Sequence, residues 1–185
     1  MRVIGGEFRS RTLKSVPGLE TRPTPDRLRE ALFSILAPRI QGKIFADLYA
    51  GTGAVGIEAL SRGANRAIFV ELSRPAVNVI RENLKTLKAE PRAEVRQAKA
   101  TAIAPKLQAD IVFLDPPYKL ERDYSLVLNS LPKPQLVIVQ HDARLKLSES
   151  YGALHHTRTL RQGDNCLSFF ETLETPDATI EDAGA

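Results

Sequence analysis

From residue 43 onward the chain alternates two kinds of apolar pattern. Short unbroken apolar runs, KIFADLYA at 43–50, AIFVEL at 67–72, DIVFLD at 110–115 and QLVIVQH at 135–141, read as strands buried on both faces, and AEVRQA at 93–98 reads as a weaker one. Between them lie stretches with helical spacing: AVGIEALSRG closed by Gly63, RPAVNVIRENLKTLK at 74–88, and YSLVLNSL at 124–131. Strand and helix in strict alternation predict an α/β fold, a mostly parallel sheet with right-handed crossovers and helices on both faces. The last 22 residues before the tail, ALHHTRTLRQGDNCLSFFETLE, change to two strands around Gln162-Gly163-Asp164-Asn165, an antiparallel C-terminal hairpin.

The first 42 residues differ. Residues 2–14 read as a short basic β-hairpin with Gly5-Gly6 at a turn or bulge. TRPTPDRLREALFSIL then opens a helix: Thr24 suits the N-cap, Pro25 the first helical position, and Asp26 the positive end of the dipole. Leu28, Ala31, Leu32 and Ile35 form its expected apolar stripe. The expected organisation is an N-terminal β-hairpin extension over 1–20, one Rossmann-like domain over 21–173, and an acidic tail over 174–185.

Composition narrows the class. The 185 residues are 43% hydrophobic and 26% charged, as in an ordinary globular domain, with no apolar stretch of membrane-spanning length and no signal-like N-terminus. The single cysteine, Cys166, excludes an internal disulfide framework, and no metal site is expected. A cytoplasmic monomer with no membrane partner fits these features. The net charge of +4 is unevenly spread. Residues 171–185 hold five acids and no base, so the remaining 170 residues carry +9. A basic body of this kind suits a polyanionic partner.

Chemistry is expected where parallel strands end. Gly51, Gly53 and Gly56 make a GxGxxG between the first strand and its helix, and Glu71 ends the second strand 20 residues after Gly51. Together they predict a nucleoside ligand, its ribose hydroxyls donating to Glu71. Asp47, four residues before Gly51, repels a pyrophosphate and suits the ammonium group of S-adenosylmethionine instead. The fourth strand ends in Asp115-Pro116-Pro117-Tyr118. Proline stiffens this turn. The carboxylate of Asp115 and the carbonyl of Pro116 can hold the two N–H groups of an exocyclic amine, and Tyr118 offers a face for its ring. Those parts answer one problem, methylation of an amine whose lone pair is delocalised into a planar base.

These motifs also carry a resemblance. R-x-I-G-G-x-x-R-x-R at 2–11, R-P-T-x-D-R-x-R-E-A-L-F at 22–33, D-x-x-A-G-T-G-A-x-G at 47–56 and D-P-P-Y at 115–118 are similar to the RsmD-type family of class I S-adenosylmethionine-dependent methyltransferases. The similarity runs from about Arg2 to Thr172. It implies methyl transfer to the N2 amine of a guanine in 16S ribosomal RNA, within an assembling small ribosomal subunit or outside it. The implied catalytic residues are Asp115, Pro116, Pro117 and Tyr118. The implied cofactor set is Asp47, Tyr49, Gly51, Thr52, Gly53, Glu71, Leu72 and Ala98. Arg9, Arg11, Lys14 and Arg22 are the candidates for the RNA backbone. The sequence departs from many methyltransferases in lacking an acid after the third strand, where Arg96-Gln97-Ala98-Lys99 stands. Three rival readings stay open: a DNA adenine-N6 methyltransferase, for which 185 residues leave little recognition domain; a binding protein without catalysis, against which the set Asp47, Glu71 and Asp115 argues; and a protein-glutamine methyltransferase, against which the basic N-terminus argues.

Overall fold

The computed structural model describes residues 1–16 and 26–172. Thr24, Pro25 and Arg22, and the tail beyond 172, lie outside the described residues. Helix α1 spans Asp26–Leu36 and precedes strand β1, Ile44–Leu48. There follow α2 (Ala54–Ser61), β2 (Arg66–Glu71), α3 (Arg74–Leu87) and β3 (Ala93–Gln97). A short α4 (Ala100–Ile103) leads to β4 (Ile111–Leu114), and α5 (Glu121–Ser130) to β5 (Leu136–Asp142). The chain closes with β6 (Ser150–Tyr151), β7 (Leu154–Gln162) and β8 (Asn165–Thr172). The eight strands form one sheet in the order β3-β2-β1-β4-β5-β8-β7-β6. The first five are parallel and the last three are added antiparallel, with Gly163-Asp164 turning β7 into β8.

The order reverses between β1 and β4, so a crevice opens at their C-terminal ends, where such sheets take ligands. One face of the sheet packs Phe45, Phe113, Ile138 and Phe169 against Leu32, Phe33 and Leu36 of α1. The opposite face packs Leu48, Val112, Leu114 and Val139 against Ala100 and Ala104, and against Tyr124, Val127 and Leu128 of α5. Among the described residues no helix is long and apolar enough to cross a membrane.

Two local expectations are corrected. The buried stripe of α1 is Leu28, Arg29, Leu32, Phe33 and Leu36, with Ala31 and Ile35 only half-buried. It is rotated because an arginine faces inward. Arg29 is fully buried; one of its nitrogens donates to the Arg2 carbonyl at 2.6 Å and to Asp26 at 3.0 Å. Burial holds its pKa below the usual arginine value, against the pull of Glu58 and Asp26. Second, α4 has no counterpart in the sequence reading, because four residues are too few to show a helical period.

The N-terminal arm forms a looser hairpin than the sequence predicts, with one isolated bridge, Arg2 to Thr12. Val3 donates to the Arg11 carbonyl at 3.0 Å and Ser10 to the Val3 carbonyl at 2.9 Å. Its order comes from docking. Val3, Phe8 and Leu13 are buried with Ile57 and Leu60 of α2 and Leu84 of α3. The fully buried carboxylate of Glu58 on α2 accepts the amides of Ile4 and Gly5, each at 2.8 Å, and the Arg62 guanidinium at 2.7 Å. A side chain at Gly6 would place its Cβ 1.8 Å from the Ser61 carbonyl oxygen, so the backbone can approach α2 only with glycine there.

Candidate active site

The site is assembled from the loops that leave β1, β2, β3 and β4. After β1 the chain turns through Tyr49 and Gly51, both at positive φ, before Gly53 opens α2. The two outer glycines of GxGxxG do different work. Nothing lies within 4 Å of where a Cβ of Gly51 would sit, so its backbone borders open space that a ligand can fill. A Cβ on Gly56 would meet Phe69 of β2 at 2.3 Å, so that glycine allows α2 to lie against the sheet. Glu71 binds the loop in place: its carboxylate accepts the Gly51 amide and the Ser73 amide, each at 2.8 Å. Leu72, next in the chain, is an exposed large hydrophobic side chain, 58% accessible. An open cradle at Gly51, a carboxylate at the end of β2 and an exposed apolar residue after it fit an adenosine group bearing a ribose.

Asp47 lies deeper than its position in the sequence suggests. It is 2% exposed and accepts the Gly56 amide at 2.9 Å. Burial drives its pKa up to about 7, opposed by that amide, and the nearby carboxylates Asp115 and Glu71 raise it further. The register places Asp47 beside Phe113 and Leu48 beside Leu114, so Asp115 leaves β4 one step above the end of β1. Asp115 is half-buried, Pro116 buried and Pro117 exposed. Tyr118 starts a single 3-10 turn, Tyr118–Leu120, that leads into α5.

The loops thus bring together Asp47, Gly51, Gly53, Glu71, Leu72, Asp115 and Pro116. Ala98 joins them at the end of β3, where its amide donates to the Glu71 carbonyl at 3.1 Å. That amide is engaged, so contact to a base from Ala98 falls to its carbonyl or its methyl group. Two further residues of the expected cofactor set have polar groups engaged by other parts of the chain. Thr52 is buried beneath the arm, its carbonyl taken by Asn83 at 3.2 Å and its hydroxyl near the Met1 sulfur. Tyr49 donates its hydroxyl to Asp123 of α5, and burial, together with that bond, holds the phenol above its ordinary pKa. Asp123 was not legible in the sequence; it pins the loop after β1 to the helix that follows Asp115. Arg9 and Arg11 are exposed on the arm, and Lys14 is exposed but paired with Glu82 at 2.9 Å.

The chain is similar throughout to known proteins. It is 37% identical over 147 residues to the Haemophilus influenzae protein named ribosomal RNA small subunit methyltransferase D, covering 75% of this chain and 76% of that one. The Escherichia coli protein of the same name is 43% identical over 122 residues, which cover 64% of this chain and 61% of that one. A solved structure of a hypothetical protein from Thermus thermophilus superposes with a TM-score of 0.79 at 30% identity, covering 92% of this chain and 99% of that one. The family model described as Conserved hypothetical protein 95 matches residues 1–171, and the chain belongs to that family, the RsmD-type methyltransferases that its motifs resemble.

Proposed function

We propose that this chain methylates the exocyclic N2 amine of a guanine in small-subunit (16S) ribosomal RNA, with S-adenosylmethionine as donor. The observation that carries the reading is the Asp115-Pro116 turn, which leaves β4 directly beside the loop of β1 that holds the open Gly51 cradle. The names of the Haemophilus and Escherichia relatives support the RNA class. When bound, S-adenosylmethionine supplies a methyl group already activated on sulfur. Asp47, Gly51, Glu71 and Leu72 orient it, Asp47 toward the ammonium and Glu71 toward the ribose. Asp115 and the Pro116 carbonyl each accept one N–H of the guanine amine, which turns the nitrogen lone pair away from the ring and toward the methyl carbon. Asp115 then takes the proton that the amine sheds. The exposed Arg9 and Arg11 are the arm's contacts to RNA phosphates, and Arg22, beyond the arm in sequence, is a further candidate.

The test is methylation of naked 16S RNA and of small-subunit particles by the purified protein with isotopically labelled S-adenosylmethionine. The labelled nucleotide is then mapped by mass spectrometry. Label on a single guanine as N2-methylguanosine is the expected result. Label on adenine, on DNA or on a protein glutamine would replace this reading with one of its rivals.

A further inference from the structure

Basic charge gathers along the edge of the molecule where the arm meets α3. Residues 1–16 and 74–92, the arm and α3 with the turn after it, together hold nine basic and three acidic side chains, a net +6 against +4 for the whole chain. The two segments are far apart in sequence but touch in the fold. Lys14 bonds Glu82 of α3 at 2.9 Å, the Lys14 amide donates to Asn83 at 2.8 Å, and Arg92 pairs with Glu7 of the arm at 2.7 Å. Those pairs consume acids, so the cations left over set the character of the surface. Arg81, Lys85 and Lys88 are exposed, and among the described residues no acidic side chain forms an ion pair with them. Arg81 and Lys85 are one helical turn apart on α3, and Lys88 caps its C-terminus with φ 54°. Together they mark a strip about 10 Å long.

Beside this strip runs a groove of about 380 Å³ between α3 and β3, lined by Arg81, Glu82, Leu84, Lys85, Glu90 and Val95. β3 is the edge strand of the sheet, so no further strand closes the groove on its outer side. The groove's own lining balances Arg81 and Lys85 with Glu82 and Glu90, so the cationic feature is the strip itself: Arg81, Lys85 and Lys88, exposed at successive turns of α3, match the charge spacing of a phosphodiester backbone. Position separates it from the site. Three steps of strand order lie between β3 and β4, about 14 Å at the usual strand spacing. A nucleic acid lying here does not present its base to Asp115.

We propose that the α3–β3 edge, through Arg81, Lys85 and Lys88, is a second RNA-binding surface that grips the backbone of a segment distant from the methylated guanine. The proposal rests on the RNA reading above and extends it from one nucleotide to an RNA long enough to reach both places. The test is a triple variant, Arg81→Gln, Lys85→Gln and Lys88→Asn, asparagine being chosen because it tolerates positive φ. Affinity for a long small-subunit RNA fragment is measured from about 50 to 300 mM salt, alongside a short hairpin carrying only the target guanine.

On the long RNA the slope of log affinity against log salt should fall by about 2–3, since each phosphate that is no longer neutralised removes roughly 0.7–0.9 from it. Binding of the short hairpin, S-adenosylmethionine affinity by calorimetry and the thermal melt should stay as in the wild type. An unchanged slope on the long RNA in a folded variant overturns the proposal. So does an equal weakening on the short hairpin, which would place these cations beside the target. If the wild-type protein methylates no small-subunit RNA, the catalytic reading fails by a separate measurement.

Discussion

Two regions of the molecule handle charge in opposite ways. At the C-terminal ends of the central strands, Asp47, Glu71, Asp115 and Asp123 gather carboxylates around a crevice. At the edge formed by the arm, α3 and β3, cations outnumber acids and lie in the open. The first region crowds its acids: Asp47 is desolvated, lies near Asp115 and Glu71, and titrates at about pH 7. The second region pays little for its charge, because exposed lysines and arginines stay hydrated. Like charges are worth confining and desolvating where a cation must be held and a proton received. Where a long polyanion must be attracted, they are better spread over an open surface.

The joint between the two regions should be the most sensitive point. Glu58 is the buried anion that fastens the arm to α2, and Glu58→Ala would leave Arg29 without its buried counter-ion and two arm amides unpaired. We expect a loss of about 3–5 kcal/mol in denaturant unfolding. A midpoint close to that of the wild type would mean that the arm is held by apolar contacts alone.

Within the acidic region, Asp115→Ala should lower the single-turnover rate by on the order of 10²–10³, with cofactor affinity within a few-fold of wild type. Near-normal turnover would remove Asp115 from the chemistry. Glu71→Ala should weaken S-adenosylmethionine binding by about 1–3 kcal/mol, since it also releases the Gly51 and Ser73 amides that shape the cradle. Calorimetry showing equal affinity would leave Glu71 only a structural role.

The smallest effect is one of pH. Folding raises the pKa of Asp47 from 3.8 to about 7, so the unliganded protein keeps a proton that the unfolded chain releases, and its stability falls as pH rises through that window. Binding an ammonium favours the carboxylate and expels the proton. Affinity for S-adenosylmethionine should therefore rise about tenfold between pH 6 and 8 and level off above. Proton release should be visible as a dependence of the calorimetric heat on buffer. Asp47→Asn should flatten the profile and raise the melting temperature at pH 8. A wild-type profile without slope would detach Asp47 from the ammonium.

Much of this architecture was legible in the sequence. Apart from the short α4 and β6, the β and α segments are specified by their own spacing, and the glycine loop, Glu71 and Asp115-Pro116-Pro117-Tyr118 announce themselves by position relative to strand ends. All of these are short-range signals, carried within a few dozen residues. The parts that required the tertiary structure depend on contacts between distant segments. The sequence left Arg29 as either a helix-surface or a structural ion-pair residue, and only the packing of α1 beside α2 and Glu58 decided for the second. The partner of the Tyr49 hydroxyl, Asp123, lies 74 positions away and is brought to it only by the docking of α5. The burial of Asp47, and the raised pKa that follows from it, comes from the helices and strands packed around it, because desolvation is a property of the surroundings and not of the residue. The basic edge likewise exists only because the arm folds back on α3, joining residues 1–16 to 74–92 in one electrostatic surface. Local pattern determined which elements form and where their reactive ends lie; the packing of those elements decided which charges are buried, which are paired, and which are left facing a partner.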